Sequence, residues 1–400
     1  MNRLLYFSSE VLFPSNPKEG VLGSVEFNLF LTKVAGYPYP DIKNKFLQYL
    51  HYFYCFIAVL GFSIVYVIFE LLDLFYSFND INALANNACL SLSHVSGCFK
   101  ILNVIYQLNE VVNIINSFKK LTMTYVKSEK QELTFYKAEL ENKVPLFLYV
   151  SIVTFTGLLG IGFLLANPAV EGNYFPFKVM LPKSIPFYGR AVCMISGVLG
   201  QAIQIVSIDY LNVTLINQLR FQLSCLNLSL QELGDPNFRK KHGIIPEKRL
   251  SDCIVHHQLI LDLQKRIESI FKIPLLLQFI ISLMIFALTG YQATVSKSDR
   301  MAASLVYFYC GDILTELLVF CWFGNEFIEE SKKLGAVIYN SRWYNYSPRF
   351  KKIMIIFQQN TQKDLYFTSG GFARLSLQTF ANILSKSYTY VALLRQVAEG

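Results

Sequence analysis

Five stretches of this 400-residue chain, 46–69, 81–99, 144–170, 191–208 and 273–296, contain no Asp, Glu, Lys or Arg, and each is between 18 and 27 residues long. A bilayer core of about 30 Å takes about 20 apolar residues of helix to cross, and a chain in lipid has to satisfy its own backbone hydrogen bonds. Two further runs, 301–325 and 375–394, are as long but carry Asp312 with Glu316 and Lys386 respectively. These two are the least like plain lipid-facing helices. The expected fold is an all-α membrane protein with seven transmembrane helices, and a composition of 53% hydrophobic and 16% charged residues argues against a soluble enzyme.

Orientation follows from the basic residues. Five lie in 1–45, six in 119–143, nine in 220–272 and seven in 326–367, giving 27 on one side of the bilayer against six on the other. By the positive-inside rule the N-terminus is cytoplasmic and the C-terminus extracellular, opposite to a G-protein-coupled receptor. Because the net charge of +8 is sorted by topology and forms no single patch, no nucleic acid partner is expected. Residues 1–45 have no signal-peptide pattern, so the first span is expected to direct insertion. Six cysteines lie in spans and Cys225 and Cys253 on the cytoplasmic side, which leaves none for an outer disulfide. The sequons at Asn212, Asn227 and Asn345 fall in the fourth span or on the cytoplasmic side and are expected to stay unmodified.

The fourth span does not stop at the membrane. Leu219, Leu223, Leu226, Leu230 and Leu233 recur at spacings of four and three, the seam of a packed helix, until Gly234-Asp235-Pro236 ends it. A second helix restarts near Ser251, with Ile260, Leu263, Ile267 and Ile270 on one face. Together they predict a cytoplasmic helical hairpin that packs within the chain or also serves as a subunit contact. Pro348 opens a short helix that Ser347 can cap, with Ile353, Ile356 and Phe357 as its apolar face, placed inside the cell or on the membrane surface. The expected division is a cytoplasmic segment 1–45, helices one to four in 46–209, the hairpin in 210–272, helices five and six in 273–325, a cytoplasmic helical segment in 326–367, and the last helix with a short outer tail in 368–400. The long cytoplasmic extensions would form an anchor region.

No phosphate loop, nucleophile elbow, Cys-x-x-Cys or His-Glu-x-x-His pattern is present, so enzyme, metal and cofactor readings have nothing to rest on. The adjacent His256 and His257 point to different sides of a helix. His94 in the second span is either a satisfied core histidine or a ligand contact. Asp312 and Glu316 stand one turn apart, with Asp312 about 17 Å from the outer end of its span. Lys386 has comparable depth, and an ion pair between the sixth and seventh spans competes with a role in an ion path.

The last span carries Ser376-Leu377-Gln378-Thr379-Phe380, then Ala381-Asn382-Ile383-Leu384, Ser387-Tyr388-Thr389-Tyr390 and Leu393-Leu394-Arg395-Gln396. This resembles the C-terminal signature of insect odorant receptors. The Thr389-Tyr390 pair followed by Gln396 also resembles the pattern shared with insect gustatory receptors, with Val397 where that pattern usually has Phe. The resemblance implies a subunit of an odorant-gated, nonselective cation channel in the plasma membrane of olfactory dendrites. Four subunits surround a pore lined by the last helix, and tuned receptors join a shared coreceptor in a heterotetramer. Only a short stretch separates the hairpin helices here, where the coreceptor has a longer insertion, so the chain resembles a tuned receptor. A gustatory receptor of the same superfamily is the alternative. A G-protein-coupled receptor is opposed by topology, and a transporter by the absence of repeats.

The same resemblance places a volatile ligand in the outer half of each subunit, among the second to sixth spans. Depth along those spans selects Leu90, Ser91, His94, Thr154, Leu158, Ile161, Gln201, Ile205, Tyr307, Phe308 and Cys310, with burial holding the ligand and Gln201, His94 or Tyr307 orienting it. Alignment of Tyr390 and Gln396 to the family pattern places Leu393 at the pore constriction. Tyr390, Leu393, Gln396 and Val397 share a helical stripe on which Lys386 also nearly falls. Partners are then the odorant, the coreceptor, membrane lipid and permeant cations.

Overall fold

The computed structural model describes residues 14–39, 44–76, 81–166, 179, 184–233, 245–295 and 300–399, with side chains left undescribed at 81–86, 163–166, 187, 291–306 and 394–399. The described helices are α1 (Gly23–Val34), α2 (Lys45–Ala58), α3 (Tyr66–Tyr76), α4 (Ile81–Tyr106), α5 (Leu108–Tyr125), α6 (Glu129–Ala166), α7 (Phe187–Leu233), α8 (Pro246–Val295), α9 (Arg300–Asn340), α10 (Pro348–Asn360) and α11 (Leu377–Glu399). A π-helical stretch, Val59–Val65, joins α2 to α3 as one rod, and a two-stranded antiparallel ribbon, β1 (Thr368–Ser369) and β2 (Ala373–Arg374), leads into α11. Among the described residues five helical stretches are long and apolar enough to cross a membrane: Lys45–Tyr76, Asn87–Tyr106, Glu129–Gly162, Tyr188–Leu233 and Pro246–Gly290.

Helix starts are set by local chemistry. Ser128 and Gln131 cap α6 reciprocally: the Gln131 amide donates to Ser128 Oγ at 3.4 Å, and the Ser128 amide to Gln131 Oε1 at 3.1 Å. Ser347 caps α10 as expected, accepting from the Phe350 amide at 3.2 Å. The N-terminal residue of α8 is Pro246, five residues earlier than the Ser251 expected from apolar periodicity, because proline loses no helical hydrogen bond at that position. No helix was anticipated within 1–45, yet α1 lies against α7. Leu22 at its start offers no side-chain cap; Ser15 Oγ accepts from the Gly23 amide at 3.2 Å, and Glu139 of α6 accepts from the Ser24 amide at 2.7 Å and from Ser24 Oγ at 2.9 Å.

The leucine seam is the centre of the core. Leu219, Leu223, Leu226, Leu230 and Leu233 of α7 are fully buried, facing Ile260, Leu263, Ile267 and Ile270 of α8. His256 and His257 diverge as the helical phase requires: His256 lies 3.0 Å from Gln222 Oε1 and stacks on Tyr125, while His257 meets the edge of Phe357. Burial, with the neighbouring His257 and Arg249 charges, pushes His256 down to about 3, and burial pushes His257 down to about 4, so both are neutral at pH 7. Gly370 and Gly371 make the ribbon turn with φ of 65° and 86°, backbone that side chains rarely tolerate. The Gly370 amide donates to Lys272 O at 2.8 Å and ties the entry of α11 to α8.

A cavity between the helices as the candidate functional site

α3, α4, α6, α7 and α9 leave between them a cavity of about 120 Å³. Periodicity explains its walls. Leu90, Ser93 and His94 come from α4; Tyr149, Val153, Thr156, Gly157 and Ile161 from α6; and Ile195, Val198, Leu199, Ala202, Ile205 and Val206 from α7. Within each helix these are neighbours at spacings of three and four, so each helix offers one stripe. Tyr309, Asp312, Ile313 and Glu316 do the same on α9, and Tyr66 of α3 closes one side. Tyr66 fits because α7 has glycine at 197, where a Cβ would lie 2.3 Å from the Tyr66 ring.

Four of the residues selected by depth line this space: Leu90, His94, Ile161 and Ile205. The others do not. Thr154 and Leu158 lie on the exposed face of α6, and Tyr307 and Phe308 are exposed on α9, Phe308 at the edge of the stripe that carries Tyr309 and Asp312. Ser91 is buried and Cys310 half-buried off the cavity. Gln201 is fully buried, its amide nitrogen donating to Phe62 O at 3.1 Å in the first rod. Depth alone set how far down a residue sits, and helical phase decided whether it faced inward. α8, the expected fifth contributor, adds no described lining residue, while Tyr66 from the first rod does.

The charged residues are arranged differently from expectation. No ion pair joins Asp312 or Glu316 to Lys386, which is exposed on α11. Glu316 Oε1 instead lies 2.7 Å from Lys100 Nζ of α4, and the same ammonium lies 2.7 Å from Asp209 Oδ1 of α7. Lys100 is buried among α4, α7 and α9, which brings a cation to Glu316 that Lys386 cannot reach. His94 Nδ1 lies 2.9 Å from both oxygens of Glu70. Among the described residues, Asp312 takes a single 3.4 Å hydrogen bond, from Thr156 Oγ1. The sequence signal for this floor was present as Lys100 at the end of a charge-free run and Asp209 just after another.

On α11, Tyr390 and Leu393 are about half exposed and Tyr388 more so, while Gln396 and Val397 lie on the helix beyond the residues whose side chains are described. The sequence model of the 7tm odorant receptor family matches residues 80–388. The chain belongs to that odorant receptor family. Members are receptors of olfaction, not enzymes. This odorant receptor is 22% identical to Odorant receptor Or1 of Anopheles gambiae over 81% of this chain and 83% of the relative. It is 23% identical to Odorant receptor 82a of Drosophila melanogaster over 80% and 86% of the two chains. Its fold matches the insect olfactory receptor OR5 from Machilis hrabei, solved in complex with eugenol, with a TM-score of 0.81 and 15% identity, covering 93% of this chain and 97% of that one.

Proposed function

We propose that this odorant receptor is the ligand-binding subunit of a ligand-gated, nonselective cation channel, and that the cavity of α3, α4, α6, α7 and α9 holds its odorant. The cavity carries the reading: it is lined by five helices and mostly apolar, so a volatile ligand gains about 25 cal/mol per Å² of surface buried in it. Leu90, His94, Ile161 and Ile205 are its first candidates, joined by Tyr66, Tyr149 and Tyr309.

The chain crosses the plasma membrane of olfactory dendrites seven times, α9 and α11 adding two spans to the five apolar ones. The 27-to-6 distribution of basic residues supports a cytoplasmic N-terminus and an extracellular C-terminus. Four subunits, this chain with a coreceptor, surround a pore lined by α11, with the α7–α8 hairpin and α10 as the cytoplasmic anchor between them. Tyr390, Leu393, Gln396 and Val397 line that pore and Leu393 is its constriction. The exposure of Tyr390 and Leu393 in the single chain supports this, since a pore-lining stripe has no partner within its own subunit. Lys386 is exposed on the same helix, and a mixed tetramer limits how many such cations the permeant ions meet.

The test is to express the receptor with and without an odorant coreceptor and record currents across a panel of volatiles. Ligand-evoked cation currents that require both chains are expected, and they should be lost when Ala202→Phe fills the cavity. Currents untouched by that substitution refute the ligand site, and a panel without any response at normal surface expression refutes the channel reading.

A further inference from the structure

Acid outweighs base around the cavity. Four carboxylates, those of Glu70, Asp209, Asp312 and Glu316, line it or stand directly behind its lining, with Lys100 and His94 as the described bases. His94 is engaged by both oxygens of Glu70, and Lys100 is shared between Asp209 and Glu316. Asp312 has no described cation. It is only 7% exposed, faces the cavity, and takes one long hydrogen bond from a Thr156 hydroxyl that also lies 3.1 Å from Ile152 O. A hydroxyl has one proton, so Asp312 receives at most a share of it.

A second feature points the same way. The cavity wall beside Asp312 includes Tyr149 and Tyr309, with Tyr66 across it, and aromatic faces attract cations. A buried carboxylate short of a counter-charge in an aromatic, apolar chamber is stabilised by a ligand that brings a positive charge.

We infer that the receptor is tuned to small volatile amines, bound as ammonium ions with the charged nitrogen on Asp312 and the apolar body against the α6 and α7 stripes. This rests on the cavity being the odorant site. The volume sets the size: a cavity of about 150 Å³ takes benzene, so the 120 Å³ here suits an amine smaller than a benzene ring, a short or branched alkyl chain of about five heavy atoms. Glu316, one turn below Asp312 and tied to Lys100, adds negative potential without being free to pair with the ligand.

Three probes of equal heavy-atom count test the inference: isobutylamine, isobutanol and isopentane, each titrated at pH 7 into the purified full-length receptor in lipid nanodiscs. One charge-assisted hydrogen bond predicts an amine dissociation constant about tenfold or more below that of the alcohol. Asp312→Asn should remove that preference while leaving alcohol and hydrocarbon affinity within about twofold. The comparison on the unmodified receptor needs no variant, so a folding defect in Asp312→Asn leaves it intact. An alcohol that binds as tightly as the amine overturns the inference and means that Asp312 is held neutral. Failure of the amine to bind overturns it too, as does a preference that survives in a folded Asp312→Asn receptor. Ala202→Phe separates the two readings: if it weakens all three probes without an amine preference, the cavity stands and the amine assignment falls. If it weakens none, the cavity reading itself falls.

Discussion

Removing the ammonium of Lys100 should be among the most damaging single substitutions in this receptor. Its Nζ lies 2.7 Å from both Asp209 Oδ1 and Glu316 Oε1, and the three side chains are 3%, 6% and 4% exposed. In Lys100→Met the volume is nearly kept, but two carboxylates remain buried without a cation among the described residues. Each 2.7 Å contact is worth about 6 kcal/mol of Coulomb attraction at an effective dielectric of 20, most of it offset by the desolvation of lysine in the unmodified protein. Breaking a buried pair by removing one member costs about 3–5 kcal/mol, or about 10² to 10⁴ in the ratio of folded to unfolded receptor. Equilibrium unfolding by SDS in mixed micelles measures the loss, and surface labelling in cells reports its consequence. The triple variant Lys100→Met, Asp209→Asn, Glu316→Gln removes the orphaned charges along with the ammonium, so it should recover most of that stability. A Lys100→Met receptor within about 0.5 kcal/mol of the unmodified one, or a triple variant worse than the single, would refute the reasoning.

Three further outcomes follow from the same structure. His256 and His257, in the polar half of α8 ahead of the 273–296 span, have folded-state values of about 3 and 4, below the ordinary 6.5, so the stability they allow is present above pH 6.5. It should decline as pH falls toward 4, as seen in thermal unfolding, and His256→Gln with His257→Gln should flatten that decline. Gly197→Ala places a methyl group 2.3 Å from the Tyr66 ring and should drive that ring into the cavity, lowering ligand sensitivity in current recordings while surface expression holds. Leu393→Ser in coreceptor-containing cells should raise basal current or alter relative ion permeability, because a polar ring no longer excludes water. Unchanged currents at normal expression place Leu393 off the pore.

The amino-acid sequence by itself determined where helices run and several of their ends. Charge-free runs marked the apolar rods, the leucine seam of 219–233 marked the buried hairpin, and Ser347-Pro348 marked a helix start, because length, charge and cap chemistry are local properties. Which side of a rod faces the cavity was not local. In a soluble helix the buried face is the apolar one, but lipid is as apolar as a leucine core, so Leu158 facing outward and Ile161 facing inward look alike in sequence. The N-terminal helix α1 was missed for a related reason: Glu139 caps it across more than a hundred residues of chain. Lys100, Asp209 and Glu316 come from three helices far apart in sequence, and only their packing selected Lys100 over Lys386 as the partner of Glu316. The same packing left Asp312 beside the tyrosines with a cavity in front of it and no cation among the described residues, because α9 places residues 312 and 316 one turn apart and Lys100 reaches only the lower of the two.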